Sequence, residues 1–115
     1  MRPGRPGSAL PAAAAAALAL APPASAAPRV PTGKTYTIEL KAMRFAPAPV
    51  GLKPGDRVIW VNHDIFRHSA TSVDRSFDID LPPGGQGGVI IVKAGPIPFA
   101  CKYHPGMKGV LAAGR

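Results

Sequence analysis

The sequence predicts an all-β sandwich of about seven or eight short strands, and three observations carry the prediction. Fifteen prolines and thirteen glycines are spread between short apolar runs, which leaves little room for a long helix. Past the first 27 residues no stretch of useful length shows a helical apolar period. Short runs of β-branched and aromatic residues instead alternate with Pro-Gly, Gly-Gly and Gly-Pro turn signals.

The 115 residues allow at most one domain, preceded by a processing segment. Residues 1–26 read as a cleaved export signal. Arg2 and Arg5 give a positive start, residues 9–21 are an Ala/Leu-rich apolar stretch, and Ala24-Ser25-Ala26 supplies a small-residue cleavage site. The apolar stretch is shorter than the ~20 residues a spanning helix needs. The expectation is therefore a periplasmic or otherwise exported protein with no stable membrane insertion. Residues 27–34 form a Pro/Gly-punctuated flexible lead-in, and residues 35–115 the domain.

Cleavage after Ala26 would leave 89 residues with twelve basic and six acidic side chains, a net charge of +6. Such a balance favours an acidic protein partner or an anionic surface. The basic residues are scattered singly, with no Lys/Arg run, which argues against nucleic-acid binding.

Taken in order, residues 35–41 alternate polar and apolar like a half-buried strand. The apolar positions then switch parity, from Tyr36, Ile38 and Leu40 to Met43 and Phe45, which predicts a bulge or bend near Ala42. Pro47 and Pro49 break the strand, Val50 and Leu52 make a brief extended piece, and Lys53-Pro54-Gly55-Asp56 is a turn. Residues 57–62, apolar on both faces through the middle, read as an interior strand. A loop then leads to His68, and residues 69–73 read as a strand. Residues 77–81 alternate again before the Pro82-Pro83-Gly84-Gly85 loop. Residues 87–92 read as a buried strand, Gly95-Pro96 as a turn, residues 97–101 as the strand that delivers Cys101, and residues 108–113 as the closing strand.

The chemistry concentrates in Cys101-Lys102-Tyr103-His104-Pro105-Gly106-Met107. A thiolate, an imidazole and a thioether stand at equal spacing on a segment that Pro105 and Gly106 allow to curl. Two His and one Cys with a weak axial Met define a blue-copper site. Taken singly, a Cys or Met is often core filler. A lone thiol in an exported chain nevertheless asks for an explanation, and copper ligation supplies one. The second imidazole is His68 or His63; His68, at the start of a strand, is favoured, and His63 reads as an exposed loop residue. One copper ion held by His68, Cys101, His104 and Met107 is the expectation.

Residues 58–69, from Val58 through Trp60, Asn62 and His68 to Ser69, and the Cys101 to Met107 segment resemble the two copper motifs of the cupredoxins. The spacing of two residues between Cys and His, and two between His and Met, is similar to the amicyanin branch. Met43-Arg44-Phe45-Ala46-Pro47 resembles the family's first-strand ending, so the likeness spans about residues 35–112. It implies a Greek-key sandwich with copper at one end, His68, Cys101 and His104 in the plane and Met107 axial. Ser69 stands where many members carry an Asn that ties the two ligand loops, a task a hydroxyl can perform with a shorter reach. Gly106 stands where amicyanins commonly carry a bulky apolar residue.

The function these features imply is an exported, monomeric carrier of single electrons between redox partners, not an enzyme. His104 would be the conduit within an apolar patch of Phe66, Pro105 and Tyr103, rimmed by Arg67, Lys102 and Lys108 for an acidic protein partner. The alternative is a copper carrier or sink that transfers metal without redox cycling. A Cys-His nucleophile is disfavoured because no orienting third group or oxyanion device is evident. A zinc site is disfavoured by the thioether.

Overall fold

The computed structural model describes residues 32–115, together with the isolated Gly4 and Gly7. The expected export signal and most of the lead-in lie outside the described residues. Among those described there are eight strands: β1 (Thr35–Lys41), β2 (Arg44–Phe45), β3 (Arg57–Asn62), β4 (His68–Ser72), β5 (Asp78–Leu81), β6 (Gln86–Ile90), β7 (Gly95–Ala100) and β8 (Lys108–Ala113). They form two four-stranded sheets, ordered β2-β1-β3-β6 and β5-β4-β7-β8. The predicted all-β sandwich is what the chain adopts. No helix of the described residues is long and apolar enough to cross a membrane.

The period-two pattern of β1 buries Ile38 and Leu40 completely and turns Thr37, Glu39 and Lys41 outward. β1 lies parallel to β3, with Ile38 beside Trp60 and Leu40 beside Asn62. A one-residue slip would turn Ile38 and Leu40 to solvent, so burial fixes the register. Its start is anchored by Asp56, whose carboxylate accepts the Lys34 N–H at 2.8 Å and the Lys53 N–H at 2.9 Å. Thr32 and Gly33 both donate their N–H to the Gly55 carbonyl, at 3.0 and 3.1 Å.

The core lies between the sheets around an aromatic group. Trp60 meets Phe77 and Phe99 at centroid distances of 5.4 and 5.5 Å, and Phe45 stands edge-on to Phe99 at 4.8 Å. Trp60 is fully buried and its Nε1–H has no partner, so its contribution is packing. Gly109 is paired across from Phe99, and a methyl there would land on the Phe99 ring.

Three sequence expectations need correction, and one is resolved. Of the bulge or bend expected near Ala42 the chain makes the bend, a two-residue hairpin turn: Leu40 pairs with Phe45 and Lys41 with Arg44. Directly paired residues face the same side, so an even and an odd position share the core. Val50 and Leu52 form no strand; Val50 is exposed in a turn while Leu52 is buried. The strand expected at residues 87–92 is the half-buried edge strand β6, since only β3 pairs with it. Gly95 and Pro96 belong to β7, because Ala113 and Ala112 of β8 pair with them. β4 meets β7 only at Phe99 and Ala100, beyond both prolines, so the lost N–H groups do not break that ladder.

Candidate metal centre

β4 and β7 lie side by side and antiparallel, so the first residue of β4, His68, comes beside the end of β7, where Cys101 follows. The segment after Cys101 curls back on itself. The Cys101 N–H donates to the Met107 carbonyl at 3.0 Å and the Met107 N–H to the His104 carbonyl at 2.8 Å. Pro105 and Gly106 make the turn this closure needs. Met107, only 6% exposed, re-enters the core immediately before β8.

Three of the four predicted donors converge. His68 Nδ1 and His104 Nδ1 are 3.2 Å apart, and Cys101 Sγ lies 3.8 Å from the first and 3.6 Å from the second. No other group of three or more His, Cys, Asp or Glu side chains among the described residues is gathered in this way. The edges of the triangle are those that bonds of roughly 2.0 Å to nitrogen and 2.3 Å to sulfur subtend at near-trigonal angles. His68 and Cys101 are buried and His104 is half-buried, so one imidazole edge reaches the surface. With Met107 at the loop's end, the donor set has the pattern of a type 1 copper site, and copper is the cofactor that pattern specifies. His63 is elsewhere, half-exposed with Nε2 3.6 Å from Glu39.

Buried polar groups hold the donors in place. Ser69 Oγ accepts the Lys102 N–H at 2.9 Å and shares a 2.9 Å bond with Thr71 Oγ1, so a short hydroxyl does tie the two ligand segments together. His68 Nε2, on the far side of the ring, lies 2.8 Å from Asp64 Oδ2. The Met43 backbone N–H above all, then His68 and the Ala42 N–H, hold the Asp64 carboxyl below its usual range against a partial burial penalty. Asn62 is fully buried. Its Nδ2 donates to the Phe66 carbonyl at 2.8 Å and the Leu81 carbonyl at 2.9 Å, and its Oδ1 accepts the Asp64 N–H at 2.8 Å. Neither Asn62 nor Asp64 stands out in the sequence as part of the site, although Asn-His-Asp at the end of a strand is the composition of an Asx-turn.

The face around His104 is apolar. Phe66 lies edge-on to the His104 ring at 6.4 Å, and Ile65, Phe66 and Tyr103 are 82%, 52% and 46% exposed. Two of the three expected rim cations are engaged in ion pairs. Arg67 makes a two-pronged contact with Asp80 at 2.8 and 3.0 Å, and Lys102 bonds Asp78 at 3.1 and 3.2 Å. The pairing raises the pKa of Arg67 through Asp80 and of Lys102 through Asp78. It lowers that of Asp80 through Arg67, while Asp78 is lowered first by Thr71 and then by Lys102.

The described sandwich is similar to amicyanin from Paracoccus versutus, with 20% identity and a TM-score of 0.60 over 70% of this chain and 81% of that one. It is also similar to a purple cupredoxin from Nitrosopumilus maritimus, with 19% identity and a TM-score of 0.60 over 69% of this chain and 99% of that one. No curated protein sequence matches. A model of the cupredoxin-like domain matches residues 10–113. Because that match runs through both ligand segments and nearly all of the sequence, the chain belongs to the cupredoxin-like domain family.

Proposed function

We propose that the protein is an exported, periplasmic carrier of single electrons, in which His68, Cys101, His104 and Met107 would hold one copper ion. The observation that carries this reading is the donor triangle, already at coordination distance on a scaffold of strand ends and buried hydrogen bonds. Copper, when bound, supplies the Cu(I)/Cu(II) couple. The chain's own residues keep the ligands still as the charge changes, which keeps reorganisation small. The half-buried His104, with Phe66 edge-on to its ring and Ile65 and Tyr103 exposed at the neighbouring positions in sequence, gives a protein partner an apolar contact to the centre. With Arg67 and Lys102 paired, docking rests on this apolar face, and attraction of an acidic partner comes mainly from the chain's net positive charge.

Cys101 is 1% exposed, which suits a ligand and not a nucleophile that must reach a substrate. Protein-film voltammetry on the copper-loaded protein tests the electron-carrier reading. One reversible one-electron wave with fast electron self-exchange is expected. Slow, irreversible exchange with ready loss of copper to a chelator would instead favour the copper-carrier alternative.

A further inference from the structure

Asp64, in the loop between β3 and β4, serves two places with one carboxylate. Its Oδ1 accepts the Ala42 N–H at 2.8 Å and its Oδ2 the Met43 N–H at 2.9 Å. The same Oδ2 stands 2.8 Å from Nε2 of the fully buried His68.

Both ends of this bridge need it. Ala42 and Met43 form the two-residue β1–β2 turn with φ of 52° and 62°. Such turns favour Asn-Gly, because a residue with a Cβ rarely holds positive φ unaided. Neither Ala nor Met brings a side chain that could stabilise the turn locally, so the remote carboxylate takes that part. At the other end, a carboxylate that already accepts two backbone N–H groups has only acceptor capacity to offer the ring. The His68 proton therefore sits on Nε2. That leaves the Nδ1 lone pair directed at Cys101 Sγ and His104 Nδ1, 3.8 and 3.2 Å away.

We propose that Asp64 is a positioning residue that couples the β1–β2 turn to the metal centre, fixing His68 in its Nδ1-ligating tautomer and holding the turn with the same carboxylate. The inference rests on the copper reading given above. An anionic acceptor on the outer N–H raises the basicity of the ligating nitrogen and favours the more highly charged metal state. Metal at Nδ1 polarises the ring N–H and tightens its bond to Asp64. By linkage, the turn and the metal each strengthen the other's hold.

The test compares wild type, D64A and D64N, each also built in an A42N/M43G background whose Asn-Gly turn folds without help from the carboxylate. In metal-free wild type, imidazole nitrogen NMR should show His68 protonated on Nε2 alone; in D64A both tautomers should appear in either background. Affinity for Cu(I) should fall about tenfold or more in D64A. D64N, which keeps an acceptor but not the charge, should hold the tautomer and show a higher reduction potential than wild type. Copper should slow amide exchange at Ala42 and Met43 in wild type and not in D64A.

An unchanged His68 tautomer in D64A, with Cu(I) affinity within about twofold of wild type, would overturn the proposal. So would a D64A protein rescued by the Asn-Gly turn with its His68 tautomer intact, since Asp64 would then serve the turn alone. Failure of wild type to take up copper at all would sink the electron-carrier reading and the coupling with it. The metal-free tautomer would show separately whether Asp64 orients His68.

Discussion

Replacing Asn62 with Ala should be among the most damaging single substitutions outside the aromatic core. Its side chain is fully buried and makes three short hydrogen bonds, to the carbonyls of Phe66 and Leu81 and from the Asp64 N–H. Loss of the buried bond strands the Leu81 carbonyl, which costs about 1–3 kcal/mol. The other two partners lie where water can reach them, and their loss adds about 0.5–1.5 kcal/mol each. The sum is about 2–6 kcal/mol, a large fraction of the roughly 4–13 kcal/mol expected for a domain of this size. With a urea slope of about 1 kcal/mol per molar, the midpoint of metal-free N62A should fall by about 2 M or more, followed by far-UV circular dichroism under reducing conditions. N62D retains an acceptor for Asp64 but offers no donor to the two carbonyls, and should be destabilised at least as much. A midpoint shift below about 0.5 M in either variant would refute the reasoning, because the bonds would then be dispensable.

Ser69→Ala removes the hydroxyl joining Lys102 N–H to Thr71; a loss of about 1–3 kcal/mol and faster amide exchange at Lys102 are expected. Gly109→Ala drives a methyl into Phe99, itself wedged between Phe45 and Trp60. The expected loss is about 1–3 kcal/mol, with shifted aromatic NMR signals for Phe99. The exposed Asp74 carboxylate, held at about 2 chiefly by the Ser76 backbone N–H and then by the Ser76 and Ser72 side chains, is depressed from 3.8. Its contribution to stability is present above the unfolded value and is lost as pH falls from about 4 towards 2. Carboxyl NMR should find that midpoint, and D74N should lack this part of the acid dependence.

Much of the fold was legible because burial writes a period into short strands. Ile38 and Leu40, Trp60 within RVIWVN, and Leu111 near the chain's end all show it. The failures share a cause: local signals were read without the partner strand that decides them. Gly95-Pro96 looks like a turn until β8 pairs with it, and the parity switch at Ala42 leaves bulge and bend both open until Phe45 is placed opposite Leu40. The donor pattern was legible because Cys101, His104 and Met107 lie within one curled segment of sequence. Asp64 was not, because it acts across to residues 42 and 43, separations of 22 and 21 residues that no local pattern reveals. The ion pairing of the rim was hidden for the same reason, since Asp78 and Asp80 of β5 reach Lys102 and Arg67 from another strand.

On the function proposed above, His68, Cys101, His104 and Met107 hold copper through a thiolate. Titration of the purified protein with Cu(II), read by visible absorption and electron paramagnetic resonance, probes that bond. An intense blue or purple band with narrow copper hyperfine splitting, absent in C101S, is the predicted result. A pale protein with ordinary tetragonal copper spectra, or a spectrum unchanged by C101S, would contradict it.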